Sequence, residues 1–401
     1  MSRKKEVKKR HIFIITLAKI FVTIPLKIKY RYTYKKYKDL KDGPYLILGN
    51  HTISIDPILM GLSFPFHIYY FATEQIFNLG LLSKLLVFAA NPIKKTKSVS
   101  DLSAIKKAKQ IINEKGSVGL FPEGNITYDG VTNKMSPSVV KLIRMLKRPV
   151  IFYNFEGLYF SNGRWTVYNK KGKSRGFIKK IINYEEYKNL SDDELFDIVK
   201  ENLYVNAYDF PYNNFKGKEI AKGLERLVFI DYKSNEPFST YTKGDMLYSK
   251  SSNLTLKFLN NGIVTDNENK SFNLIEIHEK VLTSYLNYYR NNKNFSFDRT
   301  VNLSKTDANK KHDLGKGSFT LKNDRVIFNN KHIEKEFLFS EISNLAIQGK
   351  KQIIIYEDND TWLFRFDLET SPYIYLLTYQ FYNEGENIYD ENISIHKFGL
   401  Q

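Results

Sequence analysis

The 401-residue sequence contains no cysteine, which removes several kinds of chemistry at once. Without cysteine there is no disulfide, no thiolate zinc site and no cysteine nucleophile, and the redox compartment stays undetermined. Histidine is also scarce. The seven histidines stand at positions 11, 51, 67, 278, 312, 332 and 396, with no close pair in the sequence. This spacing argues against an imidazole-rich metal site, so we expect no metal.

Arginine supplies only 12 of the 61 basic residues, although the formal net charge is +18. Such a charge favours polyanionic partners, either an anionic membrane surface or nucleic acid. The chain is also rich in asparagine, isoleucine and tyrosine, a mixture that a compositional bias of the source genome would produce. The overall charge therefore does not choose between these partners, and its placement along the chain is more informative.

No uninterrupted apolar run reaches the roughly 20 residues that a bilayer-spanning helix needs. Residues 12–26 come nearest, but Lys19 interrupts them, and strongly basic segments flank them at 2–10 and 27–38. We interpret residues 1–39 as a basic amphipathic segment that associates with membranes, with its lysines reaching the headgroups. The alternatives are a secretory signal, for which no small-x-small cleavage site follows, and an ordinary helix packed on the domain.

Residues 40–210 alternate between short apolar strands and helices, which predicts an α/β sheet. A chain of this length is sufficient for two or three domains. The pattern predicts strands at 45–49, 66–72, 117–121 and 149–155, a hairpin of strands 164–168 and 176–182, and helices at 79–90, 101–115, 138–146 and 191–204.

Polar turns follow two of the buried strands. The first turn sets His51 directly after a strand and Asp56 before Pro57, where Asp56 is expected to be the N-cap of a helix. If the two side chains meet, the carboxylate fixes the imidazole tautomer and makes His51 a general base near neutral pH. The second turn follows strand 117–121 and presents Glu123. Because open α/β sheets bind ligands at one edge, we expect both turns to form one site.

The pattern Asn50-His51-x-x-x-x-Asp56, followed about seventy residues later by Phe121-Pro122-Glu123-Gly124, resembles the glycerolipid acyltransferases, in particular the lysophosphatidic acid acyltransferase type. The resemblance covers residues 40–210. It implies a mixed, mostly parallel sheet flanked by helices, with His51 and Asp56 as the catalytic residues. It also implies acyl-CoA or acyl carrier protein as donor, a lysophospholipid such as 1-acyl-glycerol 3-phosphate as acceptor, and no cofactor beyond the donor.

The same resemblance assigns substrate binding to the second turn. Gly124 would allow close approach of the backbone, and Asn125, which stands where the family usually has Thr or Ser, would hydrogen-bond a phosphate oxygen. Glu123 would hold a basic group or an acceptor hydroxyl, unless it only caps its own turn. Amides around His51 or Gly124 are the candidate donors to the oxyanion, and the sequence does not choose between them.

A basic loop follows residue 90, at the place where this type of acyltransferase carries a residue that holds the acceptor phosphate. The family's usual arginine is absent from the loop. One of Lys94, Lys95 and Lys97 is expected to take its place, as a point charge rather than a bidentate clamp.

The remaining residues predict smaller β-rich domains. Residues 225–265 form a small β unit whose spacing is similar to that of a zinc ribbon, but it lacks cysteine and is predicted to be metal-free. A helix at 273–290 follows. Residues 295–385 show five short strands and a terminal helix, an order similar to that of GRAM and pleckstrin-homology-like domains, which often bind phospholipid headgroups or proteins.

Together these features predict an acyltransferase at the cytoplasmic face of the cell membrane, peripheral or monotopic, with the phospholipid surface, the acyl donor and the lysophospholipid as partners. One alternative is a catalytically silent lipid-sensing or scaffolding protein. Another is a hydrolase, for which the hydroxyl side chains beside His51 are Thr52 and Ser54. Nucleic-acid binding rests only on charge and tyrosine content, so nucleic acid is not expected as a partner.

Overall fold

The computed structural model of the chain describes residues 5–40, 43–73, 76–77, 81–95, 102–307, 310–358 and 360–384. Within these ranges the chain forms two compact units. The first unit comprises residues 5–163 and 171–213, and the second comprises 164–170 and 214–384.

The first unit is a sheet flanked by helices. Its helices are α1 (Lys9–Tyr30), α2 (Asp56–Gly61), α3 (Leu81–Ala90), α4 (Leu102–Asn113), α5 (Ser138–Leu146), α6 (Leu158–Asn162), α7 (Tyr184–Tyr187) and α8 (Asp192–Leu203). Its strands are β1 (Tyr32–Tyr34), β2 (Leu46–Gly49), β3 (Ile68–Thr73), β4 (Ile93–Lys95), β5 (Ser117–Leu120), β6 (Val150–Glu156) and β7 (Ser174–Ile182).

The sheet of the described first unit has the strand order β1-β7-β6-β2-β5-β3-β4. Strands β6, β2, β5, β3 and β4 run parallel, whereas β7 is antiparallel to β6. This confirms the predicted mixed, mostly parallel sheet. Both faces of β2 are buried: Leu46 and Leu48 join one core, and Ile47 joins the core on the other face. Because the parallel strands end at one edge, the segments after β2, β5 and β6 emerge side by side.

The described part of the segment expected to associate with membranes, residues 5–39, belongs to this unit. Strand β1 pairs with β7 in parallel register, Tyr32 opposite Ser174 and Tyr34 opposite Gly176. Lys19 of α1 does not face outward; its Nζ donates to the carbonyl oxygens of Phe64 (2.9 Å) and Phe66 (3.1 Å). The sequence could not indicate these contacts, because the partners lie 45 to 47 residues away for Lys19.

The expected hairpin of strands 164–168 and 176–182 is not formed. Residues 164–168 contain no strand and belong to the second unit, where Trp165 packs edge-on against Phe258 with ring centroids 5.2 Å apart. Strand β7 pairs with β6 instead. Trp165 is buried, and the apolar alternation of 164–168 does not reveal which aromatic side chain it packs against.

The second unit is rich in antiparallel strands. Its strands are β8 (Ile230–Asp231), β9 (Glu236–Pro237), β10 (Thr240–Lys243), β11 (Met246–Ser249), β12 (Thr255–Phe258), β13 (Val264–Asp266), β14 (Ser271–Phe272), β15 (Phe297–Asp307), β16 (Lys310–Leu321), β17 (Arg325–Asn329), β18 (Glu334–Leu338), β19 (Asn344–Gln348), β20 (Gln352–Glu357) and β21 (Asp360–Arg365), and its helices are α9 (Leu274–Asn291) and α10 (Tyr373–Glu384).

Strands β10 to β14 form a meander, and the described residues after 295 form a sheet in the order β18-β17-β16-β15-β21-β20-β19. The predicted strands after 295 fall in this sheet, and α10 packs against β19. In the small β unit, Asp231 is buried. Its carboxylate accepts hydrogen bonds from the amide of Lys233 (2.8 Å) and the hydroxyl of Ser251 (3.1 Å).

Candidate active site

His51 and Asp56 contact each other at the end of β2. The Nδ1 atom of His51 lies 2.9 Å from Oδ2 of Asp56, which is fully buried. The same carboxylate oxygen accepts the backbone N–H groups of Thr52 (2.6 Å) and Ile53 (2.9 Å). With the Nδ1 proton directed at the carboxylate, the Nε2 lone pair of His51 is left to accept a proton.

Asp56 is not the N-cap that the sequence suggested. Helix α2 starts at Asp56 itself, with Ile55 in the capping position and no side-chain cap. The carboxylate turns back toward the residues that precede the helix, where it binds the imidazole and the two amides. The prediction missed by one residue because an aspartate before a proline serves either purpose equally well.

Burial sets the electrostatics of Asp56. Loss of water raises the pKa of its carboxyl, while hydrogen bonds from the His51 ring and from the amides of Ile53 and Thr52 oppose that rise. The ring of His51 is 18% exposed and stacks on Phe121, with centroids 4.6 Å apart and planes at 27°. The imidazole is thus held at one nitrogen and along one face, with its remaining edge toward the cleft.

Glu123 joins the two motifs through the backbone. Its side chain is 1% exposed, and its oxygens accept the N–H groups of His51 (2.6 Å) and Asn133 (2.7 Å). Burial raises the pKa of Glu123 well above its usual range, and these two amide bonds work against the rise. Both oxygens are therefore already engaged with the chain.

Gly124 and Asn125 lie just behind this contact. Gly124 has a φ of 66°, a conformation that favours glycine, and its N–H donates to the carbonyl of Phe121 at 3.0 Å. Asn125 is buried, and its carbonyl accepts from Nδ2 of Asn133 at 3.0 Å. These contacts close the turn that carries Glu123.

A small cleft, open to solvent, lies beside the imidazole. In the described structure Gly124 and Asn125 are not among the residues that line it. Its lining comes from the segments after β2, β5 and β6 and from the chain after α8: Asn50, His51, Thr52, Glu123, Thr127, Gly130, Thr132, Phe155, Glu156, Gly157, Tyr159, Val205 and Ala207.

One charged pair at this cleft could not be predicted from the sequence. Glu156 lines it and pairs with Arg175 across the β6–β7 ladder, with Nε 2.6 Å from Oε2. The guanidinium also lies over the ring of Phe177, 5.1 Å from its centroid. The strand pairing of 150–156 with 174–182 was the missing information, because only that register sets Arg175 opposite Glu156.

The predicted phosphate-binding lysines lie on the other side of His51. Lys94 and Lys95 belong to β4, and Lys95 stands beside Thr73 of β3 in the parallel register. Since β4 is three strands from β2 at about 4.8 Å per strand, these lysines lie roughly 14 Å from the strand that carries His51, at the same sheet edge. Lys97 is outside the described residues.

The fold brings together two histidines that are far apart in the sequence. The rings of His11 and His67 have centroids 6.3 Å apart, and Tyr69 packs between them on β3. His67 donates from Nε2 to the carbonyl of Ala90 at 2.8 Å, and burial lowers its pKa to about 4. Within the described chain no group of three or more His, Asp or Glu side chains is arranged to hold a metal ion.

Comparison with known proteins agrees with this geometry. Residues 30–153 match the model of a protein family described as Acyltransferase. A curated 1-acyl-sn-glycerol-3-phosphate acyltransferase of Borreliella burgdorferi is 20% identical over 167 residues, which are 41% of this chain and 66% of that protein. The chain thus matches slightly less than two thirds of the relative's length.

Two solved structures show lower similarity. The 1-acyl-sn-glycerophosphate acyltransferase PlsC of Thermotoga maritima aligns with 17% identity and a TM-score of 0.41, over 47% of this chain and 76% of that chain. The N-terminal PH domain of human ARAP2 aligns with 13% identity and a TM-score of 0.16, over 20% and 75%. The family match and the curated relative together confirm the resemblance drawn from the sequence: residues 30–153 are similar to an acyltransferase domain, and part of the chain is similar to a 1-acyl-sn-glycerol-3-phosphate acyltransferase.

Proposed function

We propose that this protein is an O-acyltransferase. It moves a fatty acyl group from a thioester donor, acyl-CoA or acyl carrier protein, to the hydroxyl of a lysophospholipid, with 1-acyl-glycerol 3-phosphate as the acceptor. The observation that carries the proposal is the contact between His51 and Asp56 at the cleft of an acyltransferase-family domain. The acceptor follows from the name of the curated relative.

The reaction begins when Nε2 of His51 takes the proton of the acceptor hydroxyl. The acceptor oxygen bonds to the thioester carbon, and the π electrons of the carbonyl move to its oxygen. When that oxyanion collapses, the C–S bond breaks and the thiolate takes the proton from His51. Asp56 holds the ring and balances the charge of the imidazolium. The acyl donor is a co-substrate, and the step as written needs no further cofactor.

The acceptor phosphate needs a cation at the edge of the cleft. Lys94, Lys95 and Lys97 are the candidates that the family resemblance suggests. Arg175 is a further one, because its guanidinium already binds a carboxylate of the cleft and matches the geometry of a phosphate.

The membrane is the proposed source of the lipid substrate, at the cytoplasmic face of the cell membrane. Among the described residues, α1 is the one helix long and apolar enough to cross a bilayer, and little of it is buried. Its outward stripe repeats at helical spacing: Phe13, Leu17, Ile20, Phe21, Ile24 and Ile28 are all exposed. Because Lys19 is turned inward, it does not place a charge in this stripe. Such a surface supports insertion of the helix face into the interface.

Helix α3 extends this apolar surface. Leu81, Leu85 and Phe88 are exposed, and the guanidinium of Arg10 in α1 lies 4.2 Å from the centroid of the Phe88 ring. The sequence of 79–90 predicts an apolar helix but not which of its faces is exposed. Two neighbouring helices with outward apolar faces support peripheral or monotopic attachment more strongly than one.

A hydrolase is less well supported. The chain contains one stretch of the form G-x-S-x-G, from Gly172 to Gly176, but its serine begins strand β7 and does not stand at a strand-to-helix turn. Ser174 is 1% exposed, and its hydroxyl donates to the carbonyl of Tyr30 at 2.8 Å. The intact dyad likewise favours turnover over a silent scaffold.

The test is acyl transfer from labelled acyl-CoA and labelled acyl carrier protein to a panel of lysophospholipids and glycerol 3-phosphate, presented in vesicles. We expect a labelled diacyl product with the phosphorylated lysolipid, lost in His51→Ala and retained in His312→Ala, which removes an exposed histidine of β16. Free fatty acid as the sole product would establish a hydrolase instead. Absence of both products in the wild-type protein would refute the proposal.

A further inference from the structure

Acyl transfer places a negative charge on the carbonyl oxygen, and that oxygen needs a hydrogen-bond donor. The amides nearest His51 are already engaged. The N–H groups of Thr52 and Ile53 donate to Asp56, and that of His51 donates to Glu123. The remaining candidate, the Gly124 N–H, donates to a carbonyl of its own turn. To recruit any of these amides would remove a hydrogen bond from a carboxylate or carbonyl oxygen that now accepts it, which disfavours that role.

Several other donors of the cleft are engaged in the same way, in bonds that hold its loops together. The hydrogen bonds are those of Thr127 Oγ1 to Asp129 (3.3 Å), Thr132 Oγ1 to the Leu203 carbonyl (3.1 Å), the Tyr159 hydroxyl to the Tyr128 carbonyl (2.8 Å) and the Ala207 amide to the Gly130 carbonyl (2.9 Å).

The hydroxyl of Thr52 differs from these groups. Thr52 lines the cleft beside His51, and its hydroxyl oxygen accepts a hydrogen bond from Nδ2 of Asn50 at 3.3 Å. Across the described ranges of the chain, no hydrogen bond donated by this hydroxyl is present. Its position is nevertheless fixed, because the Thr52 amide is bound to Asp56 and the Asn50 side chain is bound to the backbone of Phe155 at 2.7 Å and 3.2 Å. A hydroxyl held at its oxygen, with its proton uncommitted, is a preorganised donor.

We propose that the Thr52 hydroxyl is a catalytic residue that donates a hydrogen bond to the oxyanion of the tetrahedral intermediate. The inference rests on the proposed acyl transfer. As the acceptor oxygen bonds to the thioester carbon, the carbonyl π electrons move onto oxygen, and the Thr52 O–H donates to that oxygen until the C–S bond breaks. Thr52 keeps its proton and forms no covalent bond. The proton of the acceptor travels to the thiolate through His51 alone.

The first experiment compares Thr52→Val, which keeps the shape without the hydroxyl, with Thr52→Ser, which restores it. We expect kcat of the valine variant to fall on the order of 100-fold with KM and thermal stability little changed, and the serine variant to remain within a few-fold of wild type. Ser54→Ala is the matched control, because Ser54 is an exposed hydroxyl in the same turn and does not line the cleft in the described structure. An unchanged kcat in the valine variant would overturn the proposal.

The second experiment separates a catalytic from a structural role. A trifluoromethyl-ketone analogue of acyl-CoA, whose hydrate mimics the oxyanion, should bind the valine variant more weakly by a factor close to the loss in kcat. A thioether analogue without the carbonyl should bind both proteins equally. Equal weakening of both analogues, or an acyl ester trapped on Thr52, would overturn the assignment. Both analogues can bind even if no acceptor is turned over, so failure of the proposed function would be seen separately in the wild-type assay.

Discussion

At the scale of single residues, the site depends on carboxylates that bind the backbone as well as the imidazole. Asp56 holds the imidazole and two amides, and Glu123 holds the amide of His51 itself. The first contact could be predicted from the sequence, because five residues across one turn bring the groups together. The second could not, because Glu123 and His51 lie on turns that are far apart in the sequence. The other carboxylate oxygen of Glu123 accepts the amide of Asn133, ten residues on.

His51→Ala and Asp56→Asn test the dyad directly. Loss of the base should lower kcat about 10²- to 10⁴-fold, and the asparagine should cause a comparable fall because its amide no longer fixes the tautomer of the ring. Steady-state kinetics with vesicle-bound acceptor measure both. The far-ultraviolet circular dichroism of both variants should match that of wild type. Turnover of the alanine variant at the wild-type rate would show that another group is the base.

Glu123→Gln tests whether this carboxylate positions the base. A glutamine amide offers one acceptor where two N–H groups need one each, so an N–H is left facing an NH₂ group. We expect a loss of about 1–3 kcal/mol in the free energy of unfolding and a fall in kcat with little change in KM for the acceptor. Urea denaturation and kinetics give the two values. A large rise in KM with kcat unchanged would instead assign Glu123 to substrate binding.

At the scale of helices and strands, the elements with strong periodicity could be predicted and those defined by distant partners could not. The amphipathic pattern of 138–146 gives the bounds of α5, and the buried runs give β2, β5 and β6 to within one or two residues. Strand β1 was not predicted, and the strand predicted at 164–168 is not formed, for the same reason. Each is short, and its structure is set by pairing or packing with residues that no local pattern indicates.

The buried contact of His67, just before β3, with the carbonyl of Ala90 at the end of α3 should make the free energy of unfolding depend on pH. His67 has a folded pKa of about 4 against an ordinary value of 6.5, chiefly because of burial, with the nearby His11 and Lys19 also lowering it. Between these values the unfolded chain binds a proton that the folded chain does not. The contribution of neutral, buried His67 to the free energy of unfolding is therefore complete above pH 6.5. It is lost as the pH falls toward 4, by about 3 kcal/mol in total.

Urea denaturation at pH 7 and pH 4.5 measures this effect. The wild-type protein should lose about 2–3 kcal/mol more between these conditions than His67→Gln, which retains a donor for the carbonyl of Ala90. The control is His312→Gln, an exposed histidine on β16, which should lose as much as wild type. Equal pH dependence in wild type and His67→Gln would contradict the assignment.

The β6–β7 ladder offers a separate test of phosphate binding. Arg175→Ala should raise KM for the phosphorylated acceptor about 10-fold relative to monoacylglycerol, since a charge-assisted bond to phosphate is worth about 1.5–3 kcal/mol. Glu156→Gln should lower that KM, because the competing carboxylate charge is removed. Combined loss of Lys94, Lys95 and Lys97 is the parallel experiment. If Arg175→Ala changes the ratio of the KM values for the two acceptors, Arg175 binds the phosphate. If the combined lysine variant changes that ratio, the lysines bind it.

At the scale of the whole molecule, charge and apolar surface act together. The net charge of +18 would attract the protein to anionic lipid without orienting it on the surface, because screened attraction acts over about 8 Å in physiological salt. In the proposed membrane attachment, the outward stripe of α1 and the exposed face of α3 would be the surfaces that enter the lipid. The sequence indicated the apolar run but not its orientation, which depends on Lys19 turning inward to bind two carbonyl groups.

Binding to vesicles tests this orientation. The double variant Phe13→Glu/Phe21→Glu places two charges in the outward stripe of α1, where both rings are mostly exposed. Each buried phenylalanine stabilises insertion by about 1.5–3 kcal/mol, so affinity for anionic vesicles should fall by roughly 100-fold or more in a flotation assay. Leu368→Glu, at an exposed leucine of the second unit, is the matched control and should bind as wild type does. If the control loses affinity to the same extent, added negative charge alone explains the change; if neither variant loses it, the membrane contacts another surface. Residual binding of the double variant should disappear at high salt, because only the basic residues would then hold it to the lipid.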